Sequence, residues 1–455
     1  MTDPVKPPDP DRRRFFRQFA GDVATSVGSV LGAAQLLQAQ SADAARELLG
    51  TEAIPGLTEA PAPAADTLVP RDAATAGWRA PFRWDGDVCR VVDQRQLPDV
   101  LVDRELRGVA DAVTALNEAS IVGAPVQAQV AAACLAIAAG RITDARPFAR
   151  RATLRGGGNA FKLARPGSAQ VAAAVDRMLA ILEVLPIDAS GEVIAGMMAA
   201  EAAAIIGETT DAHGALVGNL LGELPGDGAA PLRVLVLGST GAMGGGQFGT
   251  ALSAVQTAHH AGREVHALVA EGRPGLEGAR VAAWELTQAG VPFAVVTDGA
   301  APGHVAAGDV DAVLLAADRV AADGDVVVPS GAYGIALAAH EAGVPFLVCA
   351  TTTAFDPAVP SGAEAILEEG RPGPVMRVGA TRIVPENGAV RNRTQDRVPA
   401  RLVTAIVTER EVIRTPDATG VAPAVARVPD ALRPSTPVPS APDAPDAPPA
   451  PDAVA

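Results

Sequence analysis

The second half of the globular region alternates short aliphatic runs with longer helix-like stretches. Five runs are continuous rather than alternating, which is typical of strands buried on both faces; they are RVLVLG, EVHALVAE, FAVVTDG, AVLLAADRV and PFLVCAT. Such strands, separated by helical segments, predict a mostly parallel sheet covered by helices. We therefore predict an α/β fold in which residues 230–415 form a domain built on a mostly parallel sheet.

The first half of the globular region has a different pattern. It opens with FRWDGDVCRVVDQRQLP, in which two strand-like runs flank WDGD, a typical hairpin turn. Alanine-rich stretches with helical periodicity follow at residues 106–149, 168–185 and 190–221. These patterns predict a small N-terminal α+β domain over residues 78–225.

Both ends of the chain are predicted to lie outside the two domains. Residues 1–10 are rich in Pro and Asp, residues 51–77 in Ala, Pro and Thr, and the end of the chain in Pro, Ala and Asp. Such compositions cannot bury a core. We predict that residues 1–10 and 416–455 are disordered and that residues 51–77 form a linker.

Residues 11–50 predict a helix, and several roles for it fit the sequence. Phe16, Phe19, Val23 and Val27 recur at helical spacing after an arginine cluster. Arginines before an apolar stretch also resemble a twin-arginine export signal, although Asp22 interrupts that stretch. The alternatives are an amphipathic helix that docks on its own domain, on a protein partner or on a membrane surface. We expect a cytoplasmic protein, with export as the alternative.

Composition narrows the chemistry. The 455 residues carry 37 Lys and Arg against 52 Asp and Glu, a net charge of −15, which disfavours nucleic-acid binding by bulk electrostatics. Lysine occurs only at Lys6 and Lys162, which excludes a Schiff-base or Walker-type lysine later in the chain. Three scattered cysteines indicate neither a disulfide framework nor a CxxC metal pair. We expect no membrane span, no metal and no cofactor.

A glycine-rich turn follows the first strand of the second half, in VLVLGSTGAMGGGQFGTA at residues 234–251. Gly244, Gly246 and Gly249 spell G-x-G-x-x-G, but too far from the strand for a dinucleotide fingerprint, and Gln247 stands where a P-loop requires lysine. Two interpretations remain: a tight strand-to-helix turn, or a phosphate cradle at a helix N-terminus. Ser239 and Thr240 would add hydroxyl donors to such a cradle.

Four further residues carry candidate chemistry. Asp318 follows a buried strand and is a candidate acid–base group, or else it caps the next helix or pairs with Arg319. Arg273 and Glu277 could orient an anion or pair with each other. Arg165 precedes a proline at a helix start and either binds a phosphate or lies on the surface.

Several segments, in order, resemble the methylthioribose-1-phosphate isomerase family, a group that includes ribose-1,5-bisphosphate isomerase and the regulatory subunits of a translation initiation factor. The resemblance covers about residues 82–413 and is carried by WDGDVCRVVDQRQLP, VGAPVQAQVAAA, RPGSAQVAAAVDRM, FGTAL, EGRPGLEGARVAAWELTQAGV, ADRVAADGDV and GVPFLVCATTTAFD. It implies a small N-terminal domain, a Rossmann-like C-terminal domain, a homodimer formed through the latter and a role in methionine salvage.

The resemblance implies a site that is only partly retained. The aspartate of the GADR motif is Asp318, the arginine of RPT is Arg165, and Asn392 and Asp396 remain from NPAFD. The family's catalytic cysteine position is Gly238, and the other replaced positions are Val122 for the arginine of RGAP, Ser239 for an asparagine, Glu277 for a glutamine and Val328-Pro329 for an Asn-Lys pair.

These residues lead to two functional hypotheses. The first is a sugar-phosphate aldose–ketose isomerase without a cofactor, whose partner is a small phosphorylated sugar. Asp318 would be the principal acid–base group and Ser239 or a water would replace the thiol. The second is a non-catalytic metabolite sensor or scaffold. The residues predicted to bind substrate or phosphate are Gly123, Ala124, Arg165, Thr240, Gly241, Arg273, Glu277, Asn392 and Asp396.

Overall fold

A computed structural model describes residues 80–226 and 230–436 of the chain. The predictions for residues 1–10, 11–50 and 51–77 lie outside the described residues, and so does the predicted tail after residue 436.

The first described part joins a small antiparallel sheet to a set of helices. The strands lie in the order β1-β2-β3, and the predicted hairpin turn connects the first two. The alanine-rich helix α2 is buried along most of its length and packs against α4 and α5, because small side chains allow close approach. The elements are β1 (Phe82–Trp84), β2 (Cys89–Val92), β3 (Asp103–Leu106), α1 (Val109–Asn117), α2 (Ala124–Arg141), α3 (Pro147–Ala164), α4 (Ala169–Val184) and α5 (Gly191–Glu223).

The second described part contains the following elements in chain order: β4 (Leu232–Val236), α6 (Ala242–Gly245), α7 (Ala251–His260), β5 (Val265–Ala270), α8 (Ala283–Ala289), β6 (Phe293–Val296), α9 (Ala301–Ala306), β7 (Ala312–Ala316), β8 (Arg319–Ala321), β9 (Val326–Pro329), α10 (Ala332–Ala342), β10 (Phe346–Cys349), β11 (Phe355–Asp356), α11 (Gly373–Met376), β12 (Arg377–Val378), β13 (Thr381–Arg382), β14 (Gln395–Val398), β15 (Ala405–Val407), β16 (Val412–Arg414) and α12 (Ala418–Ala431).

A seven-stranded sheet organises this second part. Its strand order is β16-β15-β10-β7-β4-β5-β6, and every pair is parallel except β15 with β16. The continuous aliphatic runs of the sequence form its central strands, and buried side chains from both faces of the sheet enter two hydrophobic cores. The predicted α/β fold with a mostly parallel sheet is confirmed.

A smaller sheet extends the structure beyond the carboxyl end of β7. Its order is β11-β8-β9-β14, and β8 begins three residues after β7 ends. Val327 O of β9 accepts a hydrogen bond of 2.9 Å from the backbone N–H of Asp318, in the short connection between β7 and β8. The second sheet therefore fixes the backbone at the rim of the first.

The long helix α5 is shared by the cores of both parts. Ile194 and Met198 near its start belong to the core of the first part, whereas Leu216 and Leu220 near its end pack beneath the seven-stranded sheet. The predicted boundary near residue 225 therefore follows a helix that joins the two cores. Among the described residues, α5 is also the one helix long and apolar enough to cross a membrane, with a mean hydropathy of 1.3 over its most apolar window.

The structure corrects the prediction of disorder for residues 418–431, which form α12. The periodicity of this segment indicates a helix although its overall composition does not: Val421, Ala424 and Val428 recur at helical spacing and are buried. Asp417 caps the helix by accepting hydrogen bonds from two backbone N–H groups. The chain beyond α12 is tied to the first part, because Thr436 donates from its N–H and its hydroxyl to the buried carboxylate of Glu201 on α5, at 2.8 and 2.6 Å.

Candidate active site

A cavity of about 980 Å³ opens at the carboxyl end of the seven-stranded sheet. Residues that follow three of the parallel strands line it: Gly238 after β4, Gly272 after β5 and Asp318 after β7. The opposite wall comes from the first part, through Ala124 at the start of α2 and Arg165 at the end of α3. Ligands of parallel α/β sheets bind at this edge, so the cavity is the candidate site.

The glycine-rich turn forms the floor of the cavity and touches the start of α2. Gly123 has φ of +111°, and a Cβ built on it would lie 2.4 Å from the carbonyl oxygen of Gly244. Only glycine fits at such an approach and such a φ. The predicted residues Gly123 and Ala124 line the cavity through this contact.

Four side chains from different elements hold the turn by its backbone. Gln94 Nε2 donates to Met243 O at 2.9 Å, Gln129 Nε2 donates to Gly245 O at 2.8 Å, and His213 Nδ1 donates to Phe248 O at 2.7 Å. The fourth, Glu285 of α8, accepts from Met243 N at 2.6 Å. The turn is thus fixed in place by buried hydrogen bonds.

Glu285 is the most unusual of these anchors. Its side chain is fully buried, and burial raises its pKa to about 8 against the opposing hydrogen bond from the Met243 N–H. Its Oε2 makes no hydrogen bond to any described residue, and a Cβ on Gly241 would lie 2.0 Å from that oxygen. Gly241, which the sequence places among the phosphate ligands, therefore faces Glu285 and does not line the cavity.

The turn residues predicted to bind or react take different places. Ser239 lines the cavity, and its Oγ is buried without a hydrogen-bond partner among the described residues. Thr240 also lines the cavity, but its Oγ1 accepts from Leu252 N at 3.2 Å and so caps the start of α7. Gly238 has φ of +82° and faces Pro329 of β9.

Asp318 lies half-buried in the cavity wall. Its Oδ2 accepts a hydrogen bond of 2.6 Å from Gln395 Nε2. Burial raises its pKa, although the Arg165 charge and the Gln395 hydrogen bond act in the opposite direction. It neither caps a helix nor pairs with Arg319, whose guanidinium instead binds Asp356.

Arg165 points into the cavity with part of its guanidinium engaged. Its Nε lies 3.1 Å from Glu368 Oε2, and the other carboxylate oxygen of Glu368 accepts from Gly167 N at 3.0 Å. Both side chains of the ion pair are largely shielded from solvent, with 18% and 14% exposed. The two Nη groups of Arg165 make no hydrogen bond to a described residue and are available to an anion.

Arg273 and Glu277 both line the cavity but do not pair with each other. Asp298 holds their turn by accepting from Gly272 N at 2.9 Å and Arg273 N at 2.5 Å, while Arg273 Nη2 donates to Pro374 O at 3.3 Å. Burial raises the pKa of Glu277.

The last two predicted residues, Asn392 in the loop before β14 and Asp396 in β14 itself, lie in different surroundings. Asn392 lines the cavity and donates from Nδ2 to Arg371 O at 2.7 Å. Asp396 does not line it, because its carboxylate accepts from Gly331 N at 2.8 Å and Tyr333 N at 3.1 Å at the start of α10.

Gln395 and Glu368 were not predicted from the sequence. Gln395 contacts Asp318, and Glu368 contacts Arg165. Gln395 is the residue before Asp396, so a strand assignment for this segment would have placed it on the opposite face. Nothing in the sequence around Glu368 distinguishes it from a surface carboxylate. The residues that line the cavity include three arginines and five carboxyl groups, which are Arg165, Arg273 and Arg371, and Glu118, Glu277, Asp318, Glu368 and Glu369.

The arrangement offers acid–base chemistry. No cluster of three or more His, Cys, Asp or Glu side chains with metal-binding geometry occurs within residues 80–226 and 230–436. A carboxyl group with a raised pKa, Asp318, shares a cavity with a guanidinium that has free donors, Arg165. Such a site can bind an anionic ligand and exchange a proton with it.

Comparison with known proteins gives consistent matches. Residues 120–415 match the Initiation factor 2 subunit family. A methylthioribose-1-phosphate isomerase of Chloroflexus aurantiacus is 34% identical over 333 residues, which cover 73% of this chain and 94% of that protein. The crystal structure of 5-methylthioribose 1-phosphate isomerase from Pyrococcus horikoshii matches with a TM-score of 0.66 and 26% identity, covering 76% of this chain and 96% of that one. The crystal structure of the delta subunit of translation initiation factor eIF-2B from A. fulgidus matches with a TM-score of 0.61 and 28% identity, covering 78% and 99%.

Proposed function

The chain belongs to the Initiation factor 2 subunit family, and we propose that it is an aldose–ketose isomerase that acts on a pentose 1-phosphate. One observation carries the proposal: Asp318 and Arg165 line the same cavity at the carboxyl edge of the sheet. The named activity of the relatives supports the substrate class, since they are methylthioribose-1-phosphate isomerases.

The proposed reaction is an internal rearrangement with no net change in atoms. The ring C1–O bond breaks and the ring oxygen takes a proton. C2 loses its C–H proton, C1 gains a proton, and the C2 hydroxyl loses its proton as it becomes a carbonyl, so two protons are removed and two are added. Asp318 is suited to these transfers because its raised pKa keeps both the protonated and the ionised form accessible nearer neutral pH.

Binding of the phosphate is assigned to Arg165. Its two Nη groups are free among the described residues, and a guanidinium donates to phosphate oxygens in a fixed fork geometry. Val122 and Pro329 in the same lining supply no charge. The pocket therefore holds its anion with fewer cations than the family motif implies, and burial raises the pKa of the neighbouring Glu277 and Asp318 carboxyls.

A second candidate function is ligand binding without turnover, as a sensor or scaffold. The observation that favours it is Gly238, which offers no proton-transfer group at the position of the family cysteine. General acid–base groups contribute about 10²–10⁴-fold each, so a missing thiol lowers the rate by a factor of this order.

The test is turnover by the purified full chain on a panel of pentose 1-phosphates, followed by NMR detection of the ketose. We expect Asp318→Asn to abolish turnover. Asp311→Asn is the matched control, because Asp311 precedes the same strand at its opposite end and pairs with Arg233. Loss of turnover only at Asp318 supports the isomerase. Calorimetric binding of a sugar phosphate with no conversion by the wild type would establish the second function instead.

We further propose a cytoplasmic homodimer and a protein partner for residues 11–50. Family resemblance supports the dimer, and size-exclusion chromatography with light scattering of the full chain at micromolar concentration tests it. Affinity capture with and without residues 1–50 tests the partner: a protein recovered only with the full chain supports it.

A further inference from the structure

Gln395 links the two polar groups that face the cavity. It lies at the start of β14 with only 2% of its surface exposed. Its Oε1 accepts a hydrogen bond of 3.0 Å from the backbone N–H of Glu368, and its Nε2 donates to Asp318 Oδ2 at 2.6 Å. One buried amide therefore holds both the acid–base carboxyl and the segment that carries the partner of Arg165.

Chemistry fixes the orientation of this amide. The Glu368 backbone N–H can only donate, so the amide oxygen of Gln395 must face it. The amide nitrogen then faces Asp318 and can itself only donate. Asp318 Oδ2 is consequently an acceptor in either protonation state, and any proton carried by this carboxyl resides on Oδ1.

The space around the amide is open only because residue 167 is glycine. A Cβ on Gly167 would lie 2.3 Å from Gln395 Oε1 and 2.9 Å from its Nε2. Gly167 is itself held, since its N–H donates to Glu368 Oε1 at 3.0 Å and its carbonyl accepts from Arg319 Nε at 3.4 Å. Gly167 and Gln395 thus form a matched pair.

We propose that Gln395 is a positioning residue, which fixes Asp318 by its Oδ2 and leaves Oδ1 as the oxygen that exchanges a proton with a bound sugar. The proposal rests on the proposed function, because it assigns Asp318 the acid–base role. It adds that the amide sets which oxygen reacts and how readily this carboxyl ionises. Oδ1 makes no hydrogen bond to a described residue, and Asp318 lines the cavity.

The test is an NMR titration of Asp318 in the full chain labelled with ¹³C at aspartate carboxyl carbons, with Asp318→Asn used only to assign its signal. A hydrogen bond donated to a carboxylate stabilises the charged form. Gln395→Met keeps the length of the side chain and removes the donor. We expect the midpoint of the Asp318 titration to rise by about one pH unit.

Two further variants separate positioning from general loss of structure. Gly167→Ala keeps Gln395 but displaces its amide, and we expect the same upward shift. Gln127→Met removes a fully buried amide that donates to Ile121 O at 2.8 Å; we expect it to lower the melting temperature without moving the Asp318 midpoint. A midpoint unmoved by both Gln395→Met and Gly167→Ala overturns the proposal.

Kinetics distinguish this proposal from the proposed function. On a substrate that turns over, the acidic limb of kcat/KM moves upward with the NMR midpoint in Gln395→Met, while KM changes little. If the NMR midpoint moves and no sugar phosphate is converted by the wild type, the contact is real and the isomerase assignment fails. If turnover occurs and its acidic limb stays fixed in both variants, Gln395 does not position Asp318.

Discussion

Gly238 and Pro329 face each other across the cavity floor: a Cβ built on Gly238 would lie 3.0 Å from Pro329 Cγ. The two residues stand at positions where the family resemblance implies a cysteine and a lysine. A side chain at residue 238 would therefore project against the ring of Pro329. The two replacements are coupled, because reversing the first alone meets both the ring and an unfavourable φ of +82°.

Gly238→Ala tests this coupling. A left-handed backbone costs a residue with a Cβ about 1–2 kcal/mol, and crowding by Pro329 adds to it. We expect the free energy of unfolding to fall by about 2 kcal/mol, measured by urea denaturation. A second substitution, Pro329→Gly, should relieve the crowding and leave the backbone cost in a double-mutant cycle.

The matched control is Gly140→Ala, in the helix α2, where a Cβ meets no atom within 4 Å. It should stabilise the protein by up to about 1 kcal/mol. If Gly238→Ala is as harmless as Gly140→Ala, the cavity floor tolerates a side chain and the coupling is refuted.

Glu285→Gln should change the pH dependence of stability. The folded pKa of Glu285 is raised from 4.5 to about 8, so its favourable state is the protonated one. Below the unfolded pKa both states are protonated; as the pH rises towards 8 the unfolded state ionises first, and the protein loses stability. A shift of this size corresponds to a few kcal/mol, on the order of 1.4 kcal/mol per pH unit.

Urea denaturation at several pH values between 5 and 9 measures this effect. The wild type should lose stability from pH 5 to about 8. Glu285→Gln should lose much less, because its amide keeps the acceptor for Met243 N and cannot ionise. Equal slopes for the two proteins would show that Glu285 is ionised in the folded state at neutral pH.

Glu368→Gln should increase the affinity for phosphate. The Glu368 carboxylate lies 3.1 Å from Arg165 Nε and competes electrostatically with an anion bound to the same guanidinium. Removing that charge while keeping an acceptor should raise the affinity for inorganic phosphate about tenfold, and Arg165→Ala should lower it by a similar factor.

Isothermal titration calorimetry with inorganic phosphate measures both changes. Glu369→Gln is the control, since Glu369 also lines the cavity but pairs with Arg391. An equal gain from Glu368→Gln and Glu369→Gln would mean that net charge, and not the contact with Arg165, limits binding.

Local sequence patterns were sufficient to predict the fold, because a continuous aliphatic run by itself indicates a strand that is buried on both faces. The aliphatic runs at β4, β5, β7 and β10 needed no distant information, and the order of parallel strands placed Gly238 and Asp318 at one edge. Helix α12 escaped prediction because its surroundings are rich in proline and alanine, although Asp417 gives a clear capping signal.

The site was only partly predictable because its contacts join residues far apart in the chain. Gln395 meets Asp318 across 77 positions, and Glu368 meets Arg165 across 203. The alternation of β14 decides that Gln395, and not the more conspicuous Asp396, faces Asp318. A single sequence contains that alternation only once the strand and its register are known.

The hydrogen bonds from Thr436 to Glu201 set a limit on how far the chain can be shortened. The family match ends at residue 415, which invites truncation there, yet Glu201 has no surface exposure and takes four hydrogen bonds: one from Arg177, one from Ser435 and two from Thr436. A recombinant protein that stops before residue 435 would lose three of the four donors to this carboxylate, and with them the contact between the end of the chain and α5. Expression boundaries for crystallisation should therefore include residue 436.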